Sequence, residues 1–167
     1  MDIALRTEWT LYFSHQEGDQ LNVADFMDNV LPIVTTNSLR TLFEFYQYLK
    51  PPNLIGTNQG YHFFRKGIRP AYEDPAHANC ARIKLMLNAG HASLVWEMLL
   101  TLIFRGLADE FPSITGIDFR RGRTTQNEFV AIWLRDRTEA ETDRLIRALQ
   151  THLQVESLDC FHIQSNK

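Results

Sequence analysis

Cysteine is scarce in this chain: Cys80 and Cys160 are the only two, and their separation matches no metal-binding pair. That scarcity excludes a disulfide-stapled scaffold, and a reduced thiol inside the cell is the expectation. Long apolar runs are also lacking, since no stretch approaches the roughly 20 residues that cross a bilayer. The opening Met1-Asp2-Ile3-Ala4-Leu5-Arg6 has no basic stretch followed by an apolar one, so no export signal is expected and the expected location is cytoplasmic. Neither sign of charge dominates. A net charge of -3 excludes a general, charge-driven nucleic-acid binder and leaves only a local basic cluster for such contacts. Internal repeats and low-complexity tracts are absent. Tryptophan occurs only at positions 9, 96 and 133, although the chain holds 11 Phe and 5 Tyr.

Catalytic and metal patterns are missing as well. The histidines at 15, 62, 77, 91, 152 and 162 form no pair at helical i, i+4 spacing, and no Ser or Cys sits in a nucleophile-elbow string. His77 and Cys80, three apart, make half of a zinc site with no second half. A binding module without metal or cofactor, rather than an enzyme, is the expectation.

What is present suits a single domain over residues 1–167, long enough to bury a core. Strand patterning marks Glu8–Phe13, Val30–Thr36, Tyr61–Phe64, Arg82–Leu87, Ile117–Phe119, Phe129–Leu134 and Phe161–Gln164. Pro32 makes the second of these an edge strand or a bulged one. Helices are expected from a cap at Asn37 or Ser38 to about Leu49, over Ser93–Leu107, and over Glu139–Leu153. The interleaving points to an α+β fold with helices on one face of an antiparallel sheet.

Four strings, in this order, resemble the cap-binding translation initiation factor 4E family along nearly the whole chain. They are Trp9-Thr10-Leu11-Tyr12-Phe13, the run Tyr61 to Asp74 (YHFFRKGIRPAYED), Trp96 to Ile103 (WEMLLTLI), and Val130-Ala131-Ile132-Trp133. The resemblance implies a curved antiparallel β-sheet with three helices packed on its convex face. It also implies binding of the 7-methylguanosine cap of mRNA and recruitment of a scaffold subunit of the 4G type. A paralogue with the same fold, acting as a repressor or interaction module with weak cap affinity, is the alternative.

A 7-methylguanine base is cationic and flat, so two aromatic faces attract it through their quadrupoles. Its N1–H and N2–H donors match one carboxylate, and the phosphates that follow match Arg. By resemblance, Tyr72 stands where the family has a stacking Trp and Glu73 where it has the base-reading carboxylate. From the residues alone, Tyr72 reads first as a loop anchor and Glu73 as a solvated charge. Phe26 takes the second stacking position by counting back from the first helix, or else plugs the loop onto the sheet. Trp133 corresponds to a Trp that touches the base's methyl group, or is sheet core. For phosphate, Arg82 aligns with a family Arg, and the run Arg120-Arg121-Gly122-Arg123 offers Arg121 or Arg123. Strand alternation puts those two on one face and Arg120 on the other. The family's Lys before Ala-Ile-Trp is missing, with Asn127, Glu128 and Phe129 in its stretch.

For a partner, the resemblance implies an amphipathic helix of the scaffold or of a repressor, laid on the helical face. Leu39 and Phe43, four apart, share a helix face, either as part of that surface or as helix-to-helix core. Trp96 is expected to point outward as an interface residue, beside Glu97, which matches a family Glu that pairs with a basic peptide residue.

Overall fold

The computed structural model describes residues 2–15, 28–88, 90–122, 128–136 and 138–154, together with the backbone of 161–165. Seven strands form one sheet: β1 (Ala4–His15), β2 (Val30–Ser38), β3 (Gln59–Arg65), β4 (Ala81–Leu87), β5 (Ile114–Arg121), β6 (Glu128–Leu134) and β7 (Phe161–Ser165). Their spatial order is β2-β1-β3-β5-β6-β4-β7. Every neighbouring pair runs antiparallel. Among the described residues, three helices of eight residues or more accompany them: α1 (Leu39–Tyr46), α2 (His91–Leu102) and α3 (Glu139–Leu153).

Side-chain alternation divides the sheet into two faces. Trp9, Leu11, Tyr61, Phe63, Ile83, Leu85, Ile117, Phe119, Val130 and Ile132 turn to one side. There they join Leu42, Val95, Leu99, Leu100, Ile103, Leu145 and Leu149 of the helices in the main core. The opposite face carries a smaller cluster of Phe64, Ile68, Cys80 and Trp133, with Tyr12, Tyr72 and Ala76 against it. No helix covers that face among the described residues, which leaves it available for a ligand. Register shifts in β1 and at the start of β5 break the ladder, and such bulges bend a sheet. Pro32 lies beside the shift between Leu11 and Tyr12, on an edge strand, so it costs the ladder no interior bond.

Local rules account for the helices. Ser38 accepts a hydrogen bond from the Thr41 amide and caps α1, which ends at Tyr46, three residues short of the expected Leu49. Helical backbone continues from α2 through a widened turn at Ile103–Leu107 and a last turn at Ala108–Glu110, with a kink where Gly106 adopts φ +103°. The whole stretch His91–Glu110 has 20 residues, and an 18-residue window within it has a mean hydropathy of 1.2, enough by length and composition to cross a bilayer, contrary to the sequence expectation. Its apolar stripe lies instead against the sheet, as the core helix of a globular domain does.

Trp96 belongs to that stripe. The expectation of an outward interface residue fails, because Trp96 is 0% exposed and its ring stacks on Tyr61 with centroids 6.5 Å apart. The reason is periodicity: Leu99 and Leu100, three and four residues on, are also buried, so all three share the inner face. Leu94 is the large apolar residue of α2 that faces out.

Candidate functional site

The loop from β3 to β4 builds one wall of the open face. It leaves β3 through Gly67, whose φ of +86° a side chain would strain. Asp74 then organises the loop. One carboxylate oxygen accepts from the Arg69 amide and the other from the Ala76 amide, both at 2.9 Å, which caps the short 3-10 turn Pro75–His77. His77 is wholly buried and ties the loop to the sheet. Its Nδ1–H donates to the Ala71 carbonyl at 2.7 Å, while Nε2 meets the Thr115 hydroxyl at 3.0 Å. Thr115 in turn donates to the Trp133 carbonyl at 3.2 Å.

These bonds hold Tyr72 against Trp133, with ring centroids 4.7 Å apart and planes tilted by 48°. Trp133 also packs on His77 at 4.8 Å and edge-on to Phe64 at 5.8 Å. Phe64 fits because Gly116 lies beneath it; a Cβ on Gly116 would come within 2.3 Å of the Phe64 ring. Trp133 is therefore both floor and core, at 1% exposure, and its indole N–H is buried without a hydrogen bond among the described residues. Tyr72 is half-buried, and burial raises its hydroxyl pKa. Glu73, next along the loop, is exposed.

Cations line the same face. Arg82 pairs across the ladder with Trp133, and its guanidinium lies 5.3 Å from the Tyr72 ring centre, 5.2 Å from that of Trp133 and 5.8 Å from that of Phe129. Lys84, two residues on and so on the same side, sets its ammonium 3.9 Å from the Phe129 ring. Burial lowers the Lys84 pKa. Arg120 pairs with Phe129 across β5 and β6 and thus also faces the open side. Burial lowers its pKa too, against the raising effect of Asp118.

The placement of the candidate residues is uneven. Tyr72, Glu73, Trp133 and Arg82 come together on the open face. Arg121 does not join them as a free cation, which corrects the choice made from the sequence. Its guanidinium donates to the carbonyls of Asn53 (3.1 Å) and Ile55 (2.7 Å), and its Nε lies 3.5 Å from the buried Glu128 carboxylate. It staples the end of β5 to the 51–55 segment. Arg120 and Lys84 are the cations that join Arg82 on the open face. Alternation from Arg82 would have found Lys84; Arg120 needed the hairpin register. Phe26 and Arg123 lie outside the described residues.

The opposite, helical side holds the candidate partner residues. Phe43 is 43% exposed, Leu39 is half-buried, and Glu97 is exposed and accepts a hydrogen bond from the Tyr46 hydroxyl at 3.3 Å. A recess of about 340 Å³ opens there between Phe43, Glu97, Met98, Thr101, Leu102, Arg105 and His152. Trp96 lies beneath this surface rather than on it.

Comparison with known proteins agrees with this architecture. The model of the family described as Eukaryotic initiation factor 4E matches residues 4–167. The chain is 25% identical to eukaryotic translation initiation factor 4E of Candida albicans over 156 residues, covering 87% of this chain and 73% of that one. It is 24% identical to initiation factor 4E-1 of Caenorhabditis elegans over 148 residues, or 85% of this chain and 66% of that one. Among solved structures, the C. elegans factor 4E-3 in complex with the 4E-binding protein Mextli and a cap analogue superposes with a TM-score of 0.86. That match has 17% identity and covers 98% of this chain and 92% of the other. A schistosome factor complexed with m7GpppG and a 4E-binding protein gives 0.82 at 21% identity, over 98% and 88% of the two chains. The chain belongs to the eukaryotic initiation factor 4E family of translation factors.

Proposed function

We propose that this chain binds the 7-methylguanosine cap of mRNA on its open sheet face and recruits a scaffold subunit of the 4G type for translation initiation, in the cytoplasm. The observation that carries this reading is the rigid Tyr72–Glu73 loop pinned over Trp133, beside a strip of Arg82, Lys84 and Arg120. Tyr72 offers a ring to a cationic base, and Glu73 accepts from the two donors on the guanine edge. The cationic strip then meets the phosphate chain. The solved relatives of the same fold that hold cap analogues support cap binding by this chain.

The 4E-binding proteins in complex with those relatives support a protein partner for this chain, and the exposed helical face of Phe43, Leu39 and Glu97 suits an amphipathic helix of the scaffold or of a repressor. Phe43 supplies the exposed apolar anchor and Glu97 a carboxylate for a basic residue of the peptide.

The site binds rather than reacts. Ser14, His62 and Asp118 stand in the order of a nucleophilic triad, with Ser14 Oγ 2.7 Å from His62 Nε2. The His62–Asp118 separation of 3.9 Å exceeds hydrogen-bond reach, however, and Ser14 is only 4% exposed. Titration with 7-methyl-GTP and GTP, followed by tryptophan fluorescence, tests the reading. Clear preference for the methylated nucleotide is expected. Equal binding of both would refute it.

A further inference from the structure

Among the described residues, a buried carboxylate lies amid the cations of the open face. Asp118 sits mid-sheet, paired across the ladder with His62 on β3 and Ala131 on β6. It is 0% exposed, and neither of its oxygens has a hydrogen bond among the described residues. Its Oδ2 lies 3.5 Å from Arg120 Nε and 3.9 Å from His62 Nδ1. Burial, aided by the Arg120 charge, holds the His62 pKa well below its ordinary value, so His62 is uncharged at neutral pH. Arg120 is then the ionic counterpart of Asp118. The field of Asp118 also reaches Lys84 and Tyr72.

Burying a carboxylate is expensive, and packing alone would be served by an amide of the same shape. A requirement on the strip itself accounts for Asp118. Arg82, Lys84 and Arg120 would attract the phosphates of any nucleoside triphosphate, methylated or not. The Tyr72 ring gains less from a cationic base than a Trp would. Without Asp118 the strip would carry more positive charge, and the phosphate tail would weigh more in deciding occupancy.

We propose that Asp118 limits the share of binding supplied by the phosphate chain: it holds Arg120 and offsets part of the strip's charge, so that the methylated base decides whether the site fills. The inference rests on the cap-binding reading above. Discrimination is a difference of affinities, and weakening the contact common to all nucleotides keeps unmethylated ones off the site.

The test compares wild type, Asp118→Asn, Arg120→Gln and the double variant, each titrated with 7-methyl-GTP, GTP and 7-methylguanosine. Melting curves check that each variant folds. Asp118→Asn should tighten both triphosphates by about tenfold and steepen their salt dependence, with the nucleoside essentially unchanged. Arg120→Gln should weaken the triphosphates more than the double variant does, because the single change leaves Asp118 unopposed. That second comparison carries the test if Asp118→Asn does not fold. Triphosphate affinities that stay level or fall in Asp118→Asn overturn the proposal, as does a nucleoside affinity that moves in step with them. Failure of the wild type to prefer 7-methyl-GTP over GTP overturns the cap reading itself, whatever Asp118 does.

Discussion

His77→Phe separates the anchoring of the Tyr72 loop from the chemistry of the loop. The substitution keeps a ring of similar size against Trp133 and Phe64 but removes both imidazole hydrogen bonds. The Ala71 carbonyl, which received the Nδ1–H at 2.7 Å, loses that donor, whereas the Thr115 hydroxyl keeps the Trp133 carbonyl at 3.2 Å. The Ala71 carbonyl still accepts from the Asp74 amide at 3.3 Å, so the cost is that of two lost hydrogen bonds at about 0.5–1.5 kcal/mol each, for a total of roughly 1–3 kcal/mol. At about 2–4 °C per kcal/mol for a domain of this size, the melting temperature should fall by roughly 3–10 °C. Ala71 directly precedes Tyr72, so the ligand should sense the change as well. Affinity for 7-methylguanosine should drop by at least about tenfold, the scale of 1.4 kcal/mol. Thermal unfolding by circular dichroism and fluorescence titration with the nucleoside measure the two effects. A variant that melts within about 2 °C of wild type and binds the nucleoside equally well would refute the anchoring role.

Two further outcomes follow from buried groups and from the helical face. His62 has a depressed folded-state pKa, so it stabilises the protein fully above its unfolded value near 6.5. That contribution is lost as pH falls below this value, because the unfolded chain takes up a proton that the native ring refuses. Denaturant unfolding should show His62→Gln losing less stability than wild type below pH about 6.5, by up to about 1.4 kcal/mol per pH unit; parallel pH profiles would contradict this. On the helical side, Phe43→Ala should weaken a helical partner peptide at least about tenfold without moving the melting temperature, since truncating an exposed anchor costs binding rather than folding. Trp96→Ala should instead cost about 3–5 kcal/mol of stability, as a core deletion does. Calorimetry with the peptide and thermal melts distinguish these, and a stable Trp96→Ala with lost peptide binding would restore Trp96 to the interface.

Much of the fold was legible because its periods are strong. The alternation of β1, β4 and β6, the cap at Ser38 and the Leu145, Ile146, Leu149 and Leu153 stripe are local signals, and each leads to the element observed. The site was legible where one element supplies it, as with Tyr72 and Glu73 in their loop and Arg82 on its strand. It was less so where two elements must be aligned. Arg120 and Arg121 are neighbours, and only the pairing of Arg120 with Phe129 decides which one faces the ligand. Lys84 was available from a count of two beyond Arg82 but lacked a matching family string. Trp96 was misread because its position beside Glu97 outweighed its spacing to Leu99 and Leu100. His77 resembled half of a metal site, and its anchoring role depends on Thr115, 38 residues away.

The most direct test of the central claim is a fluorescence titration of wild type and Glu73→Ala with 7-methyl-GTP. Glu73 is exposed, so its loss should leave the fold intact and act only on the ligand. Saturable binding by the wild type and none detectable by the variant are expected. Binding by Glu73→Ala equal to wild type would contradict it.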